Sequence, residues 1–259
     1  MFKAAKLKIE RAQKHINDLN DLCSTYVNSD FCKIWVEKDS KNGDYLFRLS
    51  QTKKPPSDIP LIIGDAVHNL RSAIDIAYCE LIRDIAGIGL RPKTQVKIVK
   101  TRNELISGLT KGDGILKSKP AIAEVVANIL RPYVTDNEAS LIHIIHELNI
   151  IDKHIILIPV FCPSKAVITN IKMGGLTIGR LEAEINHNGV LNIARMAGGE
   201  IDFQFDSHSV SFSVLFGNGQ PLEGEPVVLS LQKLLHFTAE IINNLEVAVN
   251  DIAEIPHLI

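Results

Sequence analysis

Two segments hold most of the side chains that could do chemistry together. Ile63 to Asp75 carries Gly64, Asp65, His68, Asn69, Arg71, Ser72 and Asp75, and Leu141 to His154 carries His143, His146, Glu147, Asn149, Asp152, Lys153 and His154. Three chemistries compete for them. A His beside an Asp can move protons near neutral pH, with Arg71 or Lys153 holding an anion such as phosphate. A metal could recruit His143, His146 or His154 with Asp75 or His68, since imidazole and carboxylate suit zinc, iron or manganese. The third alternative has no reaction in it: His68, Arg71, Asp75, Asn149 and Asp152 form a satisfied polar network that joins two helices.

Both segments must sit on helices for any of these to work. At 100° per residue the first places Ile63, Ala66, Leu70, Ile74, Ala77 and Leu81 on one apolar stripe. Gly64, His68, Ser72, Asp75 and Cys79 fall on the opposite side, with Arg71 at its edge. Solvated helix faces are usually rich in Lys, Glu and Gln. A face of Gly, Ser, Cys, His and Asp suits a packed element or a small polar site equally with water. In the second segment Leu141, Ile144, Ile145 and Leu148 make the apolar side, and His143, Glu147 and His154 fall opposite. Asn149 and Asp152 lie nearer the apolar side, where a short polar side chain can also close the helix end through its own backbone.

The rest of the chain supplies the frame. Residues 3 to about 28 predict an amphipathic helix with Leu7, Ile9, Ala12, Ile16, Leu19, Leu22 and Val27 on its stripe. Strands at Phe31–Lys38 and Tyr45–Gln51 flank a turn over Asp39–Asp44 whose Asn42-Gly43 pair favours a hairpin. The motif helix runs from about Ile59, capped by Asp58, to Ala86, and Gly87 and Gly89 stop it. A short strand is expected at Gln95–Val99, then helices at Asn103–Leu109 and Pro120–Leu130. A further helix, capped by Asp136 or Asn137, runs to about Ile151. From His154 the pattern turns to strands: His154–Phe161, Ala166–Lys172, Leu176–Leu181, Ala183–His187, Leu191–Met196, Glu200–Asp206 and Ser209–Phe216. A helix from Val228 to about Ile252 closes the chain. The expected class is α+β: a helical core packed against a mainly antiparallel C-terminal sheet, with an N-terminal β-hairpin and a C-terminal helix. One domain over residues 1–259 is expected, with a division into 1–153 and 154–259 as the alternative.

Composition narrows the function classes. The chain has 259 residues, 46% hydrophobic and 22% charged, with a formal net charge of −2. Those are globular values, and they remove the simplest nucleic-acid case, a strongly basic domain. No apolar run approaches the ~20 residues of a membrane span. The segment Met1 to His15 reads as the start of a charged helix and not as a signal peptide. The four cysteines, Cys23, Cys32, Cys79 and Cys162, have no chelate spacing and read as reduced thiols of a cytoplasmic protein. No cofactor and no membrane partner are expected. Gly174 to Gly179 and Lys111 to Gly114 match neither a dinucleotide loop nor a phosphate loop, and no serine sits in a Gly-x-Ser-x-Gly elbow.

The run Gly64-Asp-Ala-Val-His-Asn-Leu-Arg-Ser-Ala-Ile-Asp75, together with Leu148-Asn-Ile-Ile-Asp-Lys-His154, resembles the motifs of a widespread bacterial and phage family without an assigned function. The first motif also resembles, distantly, the HEPN helical ribonucleases of toxin and phage-defence systems, whose two subunits pool Arg and His residues in one cleft. That resemblance implies an RNA-acting or defence-related protein, with RNA as partner and a homodimer as its form. On it, His154 would act as acid–base, Arg71 and Lys153 would hold phosphate, and Asp75, Asn149 and Asp152 would orient them. His68 and Asn69 join the set as binding residues. One departure stands out: Ile76 occupies the place of the His that such an Arg-to-His spacing requires. The alternative is a non-catalytic binding or assembly protein in which these residues are a structural network, and a metal-dependent enzyme is third.

Overall fold

The computed structural model describes the backbone of residues 1–38, 45–133, 140–155, 159–173, 176–184, 190–191, 203–204 and 207–253. Side chains are described for residues 1–31, 52–133, 140–155 and 214–251. The chain divides into two compact units, each assembled from separate stretches of sequence. Unit 1 comprises Met1–Leu19, Pro60–Ile158 and Phe216–Ile259, and unit 2 comprises Asn20–Ile59 and Pro159–Leu215.

Unit 1 is built of helices. α1 (Lys3–Val27) buries Ala5, Ala12, Ile16 and Leu19 in this unit at near-heptad spacing. Leu7, assigned to the stripe from the sequence, is instead 55% exposed. α2 (Asp58–Glu80) ends in a π-helical turn, Leu81–Ile85, and Gly87 then takes a left-handed φ of +66°, which stops the helix at Ala86. Ile63, Ala66, Val67, Leu70, Ala73, Ile74, Ala77 and Tyr78 are all buried, so α2 is covered over most of its circumference. α3 (Arg102–Thr110) is capped by Thr101, whose hydroxyl accepts from the Glu104 N–H at 3.1 Å. α4 (Pro120–Val125) runs into a second π-helical turn, Val126–Leu130. α5 (Leu141–Ile155) is capped by Ser140, whose Oγ accepts from the His143 N–H at 3.3 Å. The caps expected at Asp136 or Asn137 lie outside the described residues. α6 (Val227–Ala253) buries Leu231, Leu234, Thr238, Ile241, Leu245 and Val249 and packs on α5 and on the second π-helical turn. Lys6 of α1 pairs with Glu246 of α6 at 2.6 Å.

Unit 2 contains the paired strands, given as backbone. β1 (Cys32–Lys38) runs antiparallel to β2 (Tyr45–Gln51), in register from Cys32 opposite Gln51 to Lys38 opposite Tyr45. The turn expected over Asp39–Asp44 lies outside the described residues. β3 (Pro159–Met173) pairs antiparallel with β4 (Leu176–Glu184). The short β5 (Val190–Leu191) joins β2, and β6 (Phe203–Gln204) and β7 (Ser207–Phe216) join β3. At the hairpin base Tyr26 donates its hydroxyl to the Lys53 carbonyl at 2.8 Å, with its ring 4.6 Å from that of Phe31.

The α+β class is corrected by this architecture. Over the residues described with their side chains the chain is mostly helical, 68% helix and 4% strand, with one short strand and no sheet. The physical reason is where the core lies. Its largest fully buried side chains, among them Ile16, Leu70, Ile74, Leu130 and Ile142, stand on helices or π-helical turns. Three boundaries also change. His154 ends a helix and begins no strand, Pro159–Met173 is one strand, and Gln95–Val99 is an extended segment with only an isolated parallel bridge between Val99 and Tyr133. The remaining expected strands, Ala183–His187, Leu191–Met196 and Glu200–Asp206, fall largely outside the described residues.

The two sides of α2 give a direct check on this packing. Leu70 is 0% exposed and Leu61 55%, so Leu70→Ala should cost about 2–5 kcal/mol and Leu61→Ala no more than about 0.5 kcal/mol in denaturant melts. Equal losses would place the core on another face.

Candidate functional site

Both motifs lie in unit 1, the first on α2 and the second on α5. The face of short side chains on α2 is packed at Gly64, half-buried at Ser72, Asp75 and Cys79 and open at His68, and it meets two different partners along its length. Toward its start it meets α5. Gly64 is buried against Asp152, and a Cβ at that position would lie 2.0 Å from Asp152 Oδ1, so a larger residue there requires the carboxylate to move. One turn on, His68 Nδ1 lies 3.3 Å from Asn149 Oδ1. An amide oxygen only accepts, so Nδ1 carries the proton in that contact, and Nε2 lies 3.4 Å from the Ser72 hydroxyl. Asn149 is 4% exposed, whereas His68 remains open to solvent.

Further along α2 the same face meets the extended segment before α3. Arg71 Nη2 donates to Asp75 Oδ1 at 2.9 Å and to the Val96 carbonyl at 2.6 Å. The Val96 N–H returns a bond to Asp75 Oδ1 at 2.9 Å. Arg71 and Asp75, one helical turn apart, therefore grip both backbone polar groups of one residue, which has no sheet to satisfy them. Cys79 Sγ adds a weak bond to the Thr94 carbonyl at 3.4 Å, and the Val99 N–H donates to the Pro132 carbonyl at 3.0 Å.

Burial sets the electrostatics. Arg71 is 4% exposed, and loss of water pulls its guanidinium down against the opposing pull of Asp75. Burial likewise raises the Asp75 carboxyl, opposed by Arg71 and the Val96 N–H. Desolvation outweighs the attraction on both partners, so the pair specifies position more than it adds stability. Asp152 is raised by burial and by the nearby Asp65 carboxylate. His146, half-buried, is lowered by burial first and then by the positive charge of Arg71. Arg71 Nη1 and His146 Nδ1 are both buried without a hydrogen-bond partner among the described residues.

The structure thus brings together His68, Asn149 and Asp152 at the α2–α5 contact and places Arg71 and Asp75 on the Val96 segment beside it. Lys153 is exposed, close enough for its charge to act on Asp75, Asp152 and His146. His154 is exposed in the last turn of α5 with no hydrogen bond to a described residue, so it does not join the cluster. Asn69 faces elsewhere: its Nδ2 donates to the Asp65 carbonyl at 2.8 Å and its Oδ1 accepts from Lys8 Nζ at 3.2 Å. His143 pairs with Glu147 at 3.0 Å, and among the described residues no group of three or more His, Cys, Asp or Glu side chains is arranged to hold a metal ion. Val96 and Lys8 were missed from the sequence. Val96 contributes backbone atoms alone, which no side-chain pattern signals, and Lys8 sits in an ordinary charged helix.

Two outcomes follow from this geometry. Gly64→Ala should cost about 1–3 kcal/mol in denaturant melts, the range of an overpacked contact, and Gly64→Ala with Asp152→Ala should recover most of it. No loss in the single variant would mean that the carboxylate swings aside freely. The second outcome concerns acid. Because the folded pKa of His146 is depressed, its stabilising contribution is complete above about 6.5 and is lost as pH falls through the folded value. Melts between pH 7 and 5, a range of about two units around the imidazole value, should show a smaller acid loss in His146→Phe than in the wild-type chain. Parallel curves would remove His146 from the acid response.

Among the described residues no helix is long and apolar enough to cross a membrane. Compared with known proteins, the chain matches no family model, no curated protein and no solved structure.

Proposed function

We propose that this chain is a non-catalytic binding protein of the cytoplasm, in which the Arg71–Asp75 pair is a structural clamp and not a reaction centre. One observation carries the proposal. The Arg71 guanidinium is 4% exposed and its Nη2 is spent on Asp75 and the Val96 carbonyl, whereas a phosphate-holding arginine must present its donors to a ligand. The cytoplasmic placement is supported by the free thiols of Cys23 and Cys79.

A second reading keeps an RNA-acting, HEPN-like protein, working as a homodimer. It is favoured by the exposed His68 ring, oriented by Asn149 and within reach of Ser72, with the Lys153 charge nearby. His68 would then be the acid–base group in place of the exposed His154.

One set of variants separates the two. Under the clamp proposal Asp75→Ala and Arg71→Met each cost about 1–3 kcal/mol, because Val96 and the surviving partner lose their bonds. A single-stranded RNA oligonucleotide should be cleaved no faster by wild type than by His68→Ala. Unchanged stability in both clamp variants, or metal-free RNA cleavage that is lost in His68→Ala, would overturn the proposal.

A further inference from the structure

The segment that the clamp pins against α2 is also one wall of a cavity of about 380 Å³ in unit 1. That is a size typical of small-molecule sites, which run from roughly 300 to 1,000 Å³. Its floor is apolar: Tyr78, Val96, Leu105 and Val126 are 3%, 3%, 4% and 1% exposed. Its rim is basic. Arg91, Lys93 and Lys97 line it, opposed by Glu104 and Asp113. The Glu104 carboxylate already accepts from the Lys100 N–H at 3.1 Å. Arg91 spends one donor on the Asp113 carbonyl at 3.1 Å, and neither Lys93 nor Lys97 has a partner among the described residues. Three cations against two carboxylates leave one positive charge in excess at the mouth.

Tyr78 adds a polar donor to the apolar lining. It lines the cavity, is almost wholly buried, and its hydroxyl makes no hydrogen bond to any described residue. Burial pushes its phenol up to about 12, so the group stays an O–H donor at neutral pH. An oxygen-bearing ligand in the cavity would offer that hydroxyl an acceptor.

We propose that this cavity binds a small molecule with an apolar body and a single anionic group, the body resting on Tyr78, Val96, Leu105 and Val126 and the anion held by Arg91, Lys93 and Lys97. This deepens the binding-protein reading and rests on it. The clamp gains a purpose: Arg71 and Asp75 fix Val96, and Val96 is part of the floor. A nucleic acid fits the chemistry less well, because its affinity comes from many phosphate contacts along an open surface, and here three cations ring an apolar hollow.

Two probes of the same body test the inference, 2-naphthoate and its uncharged counterpart 2-naphthalenemethanol, titrated into the full chain by calorimetry. Naphthoate should bind saturably at one per chain, and the alcohol at least about tenfold more weakly. Lys93→Ala with Lys97→Ala should raise the naphthoate Kd about tenfold or more without moving the Tm of the free protein. Gly108 supplies a variant that blocks the site while keeping the fold. It lines the cavity on α3, and a Cβ there would meet nothing within 4 Å, so Gly108→Phe should fill the space and abolish binding. Absence of saturable binding, equal affinity for the two probes, or naphthoate binding unaffected by Gly108→Phe would each overturn the inference. Failure of the titration with Asp75→Ala still destabilised would sink the ligand site and leave the clamp standing. Intact stability in Asp75→Ala would remove the clamp whatever the titration gives.

Discussion

The bonds among Arg71, Asp75 and Val96 are the constraint on which the middle of unit 1 depends. From the end of the first π-helical turn to the start of α3 the chain has almost no regular hydrogen bonding of its own, yet Val96 within it is 3% exposed. A buried backbone without secondary structure must find partners elsewhere, and here they are two charged side chains on one helical face. Each of the two ions alone would be costly to bury. Together, with the Val96 N–H and carbonyl as third and fourth members, the donors and acceptors largely answer one another. Cys79 to Thr94 and Val99 to Pro132 extend the same attachment to either side.

The α2–α5 contact is a second constraint, steric rather than electrostatic. Asp152 fills the space that the missing side chain of Gly64 leaves, and one turn on His68 meets Asn149. The polar residues of both motifs are thereby divided between two tasks, joining helix to helix and holding the irregular segment. The ring of His68 remains open to water.

Much of this was legible before the structure. The helix carrying Gly64 to Asp75 was readable from its apolar period, which also set Asp75 on the short-side-chain face with Arg71 at its edge. That the short-side-chain face was packed could be weighed but not decided, because periodicity describes one helix and not what lies against it. The Val96 segment was beyond reach, since its part in the site is played by main-chain atoms that every residue type but proline shares. The fold class differs for a related reason: alternating patterns after residue 154 read as a core sheet, while the core residues themselves lie on helices that the apolar period marks. His154 was drawn toward the cluster by its nearness in sequence to Asn149 and Asp152, but the helix persists to Ile155 and leaves it exposed.

A clamp that reads main-chain atoms has a signature in sequence space. Positions 71 and 75 must vary together, since each is chosen by the other and by two groups that never change. Position 96 is answerable to neither, and any side chain of suitable volume that keeps its N–H will be accepted there. Proline is the single residue the grip refuses, for it would arrive with one of the two handles missing.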